Sequence, residues 1–89
     1  MKIHVEKLTS EKQKTLGVMG WPIWEKETSD FSWHYDEQEM CYFLEGEVTV
    51  ELPSGEVVAI GAGDFVTFPA GLSCTWHVKK KVKKHYRFG

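Results

Sequence analysis

Apolar and polar residues alternate over most of this chain in short runs, and turn-forming clusters separate the runs. "KIHVEKL" alternates around Ile3 and Val5, and "FSWHY", "EMCYFLEG", "EVTVEL", "EVVAIG", "DFVTFP" and "CTWHVKKKVKKHYRF" follow at short intervals. A period of two with aromatic and β-branched residues predicts strands. The intervening "DEQ", "EGE", "PSG", "GAGD" and "PAGLS" have the Gly, Pro, Asp and Ser content of turns, and "LPSGE" predicts a hairpin. Only "TSEKQKTLG" suggests helix. Ser10 and Gln13 stand at capping-box spacing before Gly17, which predicts a single helical turn or a loop. "WPIWEKE" predicts extended chain, because the residue before Pro22 is pushed toward β or polyproline geometry. Many short strands without crossover helices predict an all-β domain, an antiparallel sandwich or barrel.

The carboxyl-terminal run is the most basic segment and raises the question of nucleic acid. Val78, Val82, Tyr86 and Phe88 share one parity, while Lys79, Lys81, Lys83 and Arg87 share the other. That is a strand with one solvated face. Lysines there blunt an exposed edge, and a net charge of -2 does not supply the basic surface that phosphate binding needs. At 89 residues and 42% hydrophobic, the chain is one domain, 1–89, with enough apolar content for a core. No apolar run is long enough to span a membrane, and the first residues are too charged for a secretory signal, so a cytoplasmic location is expected. In that compartment Cys41 and Cys74 are expected as free thiols.

Two segments carry a more specific pattern. In "EMCYFLEG", Glu39 is followed after six residues by Gly46. In "GDFVTFPAG", Gly63 is followed after five residues by Pro69 and then Gly71. The first resembles the end of the first cupin motif and the second the start of the second, with "EVTVELPSGEVVAIGA" of suitable length between them. The resemblance spans residues 31 to 77, about half the chain. It implies a small single-domain cupin, a jelly-roll-like antiparallel β-barrel with a ligand site at its open mouth. Within cupins, the chain resembles the small subgroup that includes domains of ureidoglycine aminohydrolase and an ethanolamine-utilisation protein.

Metal-binding cupins present His-x-His, three or four residues, then Glu, and a further His from the second motif. Two frames fit this chain. Four residues before Glu39 place Ser32 and His34 at the histidine positions; three place Trp33 and Tyr35 there. Cys74 takes the place of the last histidine in both. If His34 faces inward, then His34, Glu39 and Cys74 form a ligand set for a divalent metal such as zinc or iron. If Trp33 and Tyr35 face inward, the pocket is aromatic and has one acid and one thiol. The altered positions weigh against a tightly bound metal.

Glu39 lies in a run that should be buried, so a partner must compensate its charge: a metal, a hydrogen bond from Tyr35, or a polar ligand. Glu39 and Cys74 are the candidate catalytic groups, expected to approach each other, with Trp33, Tyr35 and Trp76 as substrate-binding walls. Cys74 needs a nearby cation to become a nucleophile, and Lys80 or Lys84 could approach it from the last strand. Cys41 reads as a core residue. Trp21, Trp24, Phe31, Phe43, Phe65 and Phe68 read as packing residues. Two functional classes fit this site. One is an enzyme acting on a small polar metabolite, which the resemblance implies would be a hydrolase or deaminase like ureidoglycine aminohydrolase. The other is a non-catalytic ligand-binding or dimerisation module without metal. The strand edges and the aromatic "GWPIWE" segment predict a homodimer.

Overall fold

The computed structural model describes residues 2–89. Its strands are β1 (His4–Lys7), β2 (Ile23–Lys26), β3 (Ser29–His34), β4 (Glu39–Glu51), β5 (Val57–Gly61), β6 (Asp64–Phe68) and β7 (Ser73–Phe88). One helix, α1 (Ser10–Leu16), is followed by a 3-10 turn, Val18–Gly20. All strand pairs are antiparallel. This is the all-β, cupin-type barrel that the alternation and motif spacing predict.

Two long strands organise the barrel. β4 and β7 pair along nearly their whole lengths, with register shifts between Phe43 and Val48. Bulges of this kind bend a strand pair and increase its twist. At one end of the bend β4 also pairs with β6 and β7 with β2; at the other β4 pairs with β5 and β7 with β3. Two half-sheets thereby enclose one interior. Gly46 sits in the bend with φ +107°, and a Cβ there would come within 2.6 Å of Lys81 O and Val82 Cα. Only glycine fits both that conformation and that approach.

"EMCYFLEG" and "EVTVEL" therefore form one bent strand, because Gly46 lets the chain turn without leaving the sheet. The "LPSGE" hairpin joins β4 to β5 as predicted, closed by Leu52 N–H to Glu56 O at 2.8 Å and Gly55 N–H to Leu52 O at 2.8 Å. The helix is longer than the expected single turn. Its N-cap is Thr9, one residue before Ser10, and the Thr9 hydroxyl accepts from Lys12 N–H at 3.1 Å. Gly17 ends it in the left-handed conformation that favours glycine.

The interior is unusually aromatic. Trp76 lies at its centre, with ring centroids 5.8 Å from Trp24, Phe31 and Phe68 and 6.2 Å from Phe43. These rings come from both half-sheets and hold them together. A second, smaller layer lies outside the sheet, where Trp21 packs on Phe65 at 6.3 Å and His85 Nδ1 bonds to Trp21 O at 2.8 Å. The "GWPIWE" segment thus leaves little aromatic surface uncovered, since Trp21 covers Phe65 and Trp24 turns inward; its exposed large apolar side chain is Ile23. No helix among the described residues is long and apolar enough to cross a membrane.

Candidate functional site: an aromatic cavity with a buried ion pair

The cavity is built by strand parity. Cross-strand partners in an antiparallel sheet share a face, so Phe31, opposite Trp76, and Trp33, opposite Cys74, lie on the interior face, Trp33 at its rim with about half of its surface exposed. Tyr35 follows on the same face and is buried. It is fixed by its own N–H to Leu72 O at 2.9 Å and by Gly71 N–H to Tyr35 O. Of the two reading frames, the one with Trp33 and Tyr35 inward is adopted. His34 faces out, exposed, with Nδ1 2.7 Å from the Ser73 hydroxyl and Nε2 3.6 Å from Asp36.

Trp24, Phe31, Tyr35, Trp76 and Tyr86, with Trp33 and Phe88 half-exposed at the rim, line an open cavity of about 160 Å³ whose polar groups include Glu39 and Lys84. Both charged side chains are almost fully buried, and Lys84 Nζ donates to Glu39 Oε2 at 2.8 Å. Cys41 completes the cluster: its thiol donates to the same Oε2 at 3.0 Å and lies 3.2 Å from Nζ. The ammonium also stands over aromatic faces, 4.9 Å from the Trp76 centroid and 5.0 Å from Trp24. Cation–π attraction is strongest where the cation is desolvated. The compensating partner that Glu39 requires is therefore an internal lysine.

Tyr35 packs against this pair without bonding to Glu39. Its ring stacks on Phe68 at 4.7 Å, and its hydroxyl accepts from Trp76 Nε1 at 3.2 Å. Burial pushes its phenol well above the usual range, and the neighbouring Glu39 adds to the shift. It serves the cavity as a neutral wall.

Glu39 and Cys74 share the interior but open on different hollows. Cys74 borders a broad open groove of about 630 Å³ at the barrel edge, beside Ser32, His34, Glu51 and Ser73. Burial raises its thiol pKa. Lys84, one of the two cations that could have activated it, is engaged with Glu39 and Cys41. The Cys41 thiol is likewise raised, by burial first; Lys84 pulls it back and Glu39 pushes it up again. Both cysteines are free, and both are held as neutral thiols.

The residues at the metal positions do not fit a divalent ion. Among the described residues no three His, Cys, Asp or Glu side chains converge to hold one, so His34, Glu39 and Cys74 are not assembled as a ligand set. The chemistry of the site agrees, because a cation, the Lys84 ammonium, already occupies the carboxylate.

The sequence suggests Lys84 only as a neighbour of Cys74, and it reads Cys41, Trp24 and Phe31 as packing residues. The missed signal is parity. Lys84 stands in step with Val82 and Tyr86, whereas Lys83 and Arg87 fall on the opposite face.

Comparison with known proteins is consistent with this architecture. The family model described as EutQ-like cupin domain matches residues 13–86. A crystal structure of a DUF861 family protein from Thermotoga maritima is 51% identical and superposes with a TM-score of 0.97, covering 99% of this chain and 100% of that one. A structure described as ethanolamine utilization protein Q from Salmonella typhimurium is 22% identical with a TM-score of 0.67, covering 99% of this chain and 69% of that one. The EutQ protein of Clostridium difficile is 15% identical with a TM-score of 0.68, covering 97% and 66%. At these lower identities the likeness is one of fold. A search of curated proteins finds no significant match. The matched family model, covering most of the chain, identifies it as a member of the EutQ-like cupin family.

Proposed function

We propose that this protein is a metal-free, small-molecule-binding cupin whose ligand enters the aromatic cavity and presents a planar polar group to Lys84 and Glu39. The carrying observation is the buried ion pair lining a cavity whose other walls are largely aromatic. A protein gains little stability from such a pair compared with apolar side chains of the same size. A ligand that needs both charges gives the pair a purpose.

The free hydrogen-bonding capacity points to the ligand's chemistry. A lysine ammonium has three donors; Lys84 directs one to Glu39 and one to Cys41, which leaves one for a ligand oxygen. On Glu39, both bonds land on Oε2, so Oε1 remains an acceptor. A carboxamide or ureido group matches this arrangement: its carbonyl accepts from Lys84, its N–H donates to Glu39, and its flat face lies on the rings. A volume near 160 Å³ suits a small metabolite and falls below the range of drug-sized pockets.

A second reading is favoured by the 2.8 Å contact itself, across which a proton can pass between Nζ and Oε2. Glu39 and Lys84 would then serve as acid and base in hydrolysis or deamination of such a group, as the resemblance to ureidoglycine aminohydrolase suggests. The test is a thermal-shift screen of small carboxamides, ureido compounds and carboxylates, with ammonia release assayed on each hit. Binding that disappears in the Glu39→Met/Lys84→Met double variant supports the proposal. Hits that bind this variant equally well contradict it. Ammonia release separates the enzyme from the binding module.

A further inference from the structure

We propose that Lys84 captures small aldehydes and ketones, 2-oxo acids among them, as imines inside the aromatic cavity. This rests on the reading of that cavity as a ligand site and adds covalent chemistry to it. The two ingredients are a lysine amine that borders a cavity while withdrawn from bulk water, and a carboxylate placed to take its proton. Lys84 has both: its side chain is 5% exposed, against 76% for Lys80 and 57% for Lys81, and Glu39 Oε2 stands 2.8 Å from Nζ. Lysines in apolar pockets are recurrent nucleophiles toward carbonyl groups.

The steps balance with these residues alone. Glu39 takes a proton from the ammonium, and the freed Nζ lone pair attacks the carbonyl carbon. The C–N bond forms as the carbonyl π pair moves to oxygen, which takes the proton Glu39 holds and becomes the hydroxyl of a carbinolamine, while Glu39 takes the second proton from the nitrogen. Glu39 returns its proton to that hydroxyl, water leaves, and the nitrogen lone pair closes the C=N bond of a protonated imine. No oxidant or reductant is consumed. The product fits the site that made it. Its positive charge lies on the same nitrogen, so the pairing with Glu39 and the aromatic faces of Trp24 and Trp76, 5.0 and 4.9 Å from that nitrogen, persist. Cys41, the other nucleophile in reach, is kept as a thiol by burial and does not compete.

The test is reductive trapping on the whole protein. Propanal and, separately, pyruvate are added with sodium cyanoborohydride, which reduces imines to stable secondary amines, and the modified lysines are located by peptide mass spectrometry. The expected result is saturable labelling of Lys84 with at least one probe, exceeding that of Lys79, Lys80, Lys81 and Lys83 by about tenfold, as positioning in a cavity should give. Lys84→Arg, which keeps a cation for Glu39, should lose this label and leave surface labelling unchanged. If that variant does not fold, the wild-type map decides alone. Labelling of the surface lysines with Lys84 unmodified, or modified no faster than they are, overturns the inference. A parallel titration with a carboxamide, followed by tryptophan fluorescence, separates the two claims. Carboxamide binding without a Lys84 adduct removes the imine and leaves the binding site standing; absence of both removes both.

Discussion

Lys84 Nζ and Glu39 Oε2 stand 2.8 Å apart, each on a side chain about 5% exposed, in an interior otherwise made of aromatic rings and small apolar groups. They come from the two strands that organise the barrel, since Lys84 lies opposite Phe43 and Glu39 opposite Phe88 in the β4–β7 pairing. The pair is thus fixed by the register of the longest ladder in the fold. Removing either charge alone leaves the other buried without its counter-ion, so Glu39→Met and Lys84→Met should each cost about 3–5 kcal/mol. The Glu39→Met/Lys84→Met double variant should lose far less than the sum. Urea unfolding of the four proteins in a double-mutant cycle checks this, and additive losses would argue against an obligatory pair.

The bend that brings these strands around depends on Gly46. Its φ is +107°, and the methyl of an alanine there would lie 2.6 Å from the backbone of Lys81 and Val82, so Gly46→Ala must shift the opposite strand. A loss of about 2–4 kcal/mol is expected, more than an ordinary glycine-to-alanine change at a strained position. Chemical denaturation measures it; Gly61→Ala, whose Cβ would meet only Gly46 O at 3.9 Å, is the comparison and should cost less.

On the outer face His77 is bridged by two carboxylates, Asp30 of β3 at 2.6 Å from Nδ1 and Glu51 of β4 at 3.2 Å from Nε2. The hydrogen bond that His77 donates to Asp30, followed by the one it donates to Glu51, raises its pKa above the ordinary 6.5, while Lys79 opposes the shift. The folded state therefore binds this proton more tightly than the unfolded state. The resulting stability is fully present below 6.5 and is lost as pH rises through the elevated folded value. Melting temperatures of wild type and His77→Gln should differ most on the acidic side of this window and converge on the alkaline side. A constant difference across it would contradict the linkage.

Cys41 and Cys74 are both raised by burial, so neither is a thiolate near neutrality. Native protein should react with a thiol-specific disulfide reagent far more slowly than unfolded protein, which exposes both groups. Fast modification of Cys74 in the folded state would restore it as a candidate nucleophile.

The fold was legible because its signals are local. Alternation, turn chemistry and the Glu39–Gly46 and Gly63–Pro69–Gly71 spacings each act over a few residues. The site was legible only in part: the spacing before Glu39 leaves two frames open because the chain departs from strand geometry between His34 and Glu39, and the pairing of Trp33 with Cys74 and of Tyr35 N–H with Leu72 O decides between them. The counter-ion was harder to find, because Lys84 is 45 positions from Glu39 and sits in a run of lysines that otherwise faces solvent. Register shifts in the middle of β7 leave Lys80 exposed although it shares the parity of the buried Cys74, Trp76, Val78, Val82 and Lys84, and that exposed lysine in step with the others masks the parity that marks Lys84 as inward. The same limit applies to Cys74, whose position in the second motif suggested proximity to Glu39, whereas the two open on separate hollows.

The central claim is that ligand enters between the aromatic walls and reaches Glu39 and Lys84. The four tryptophans make it directly measurable, since Trp24, Trp33 and Trp76 line the cavity while Trp21 packs on Phe65 outside the sheet. Indole N–H resonances in a two-dimensional NMR titration with a thermal-shift hit report each separately. Shifts at Trp24, Trp33 and Trp76 with Trp21 unmoved, abolished in the Glu39→Met/Lys84→Met variant, are the predicted result. Shifts confined to Trp21, or a cavity response that the double variant retains in full, would contradict it.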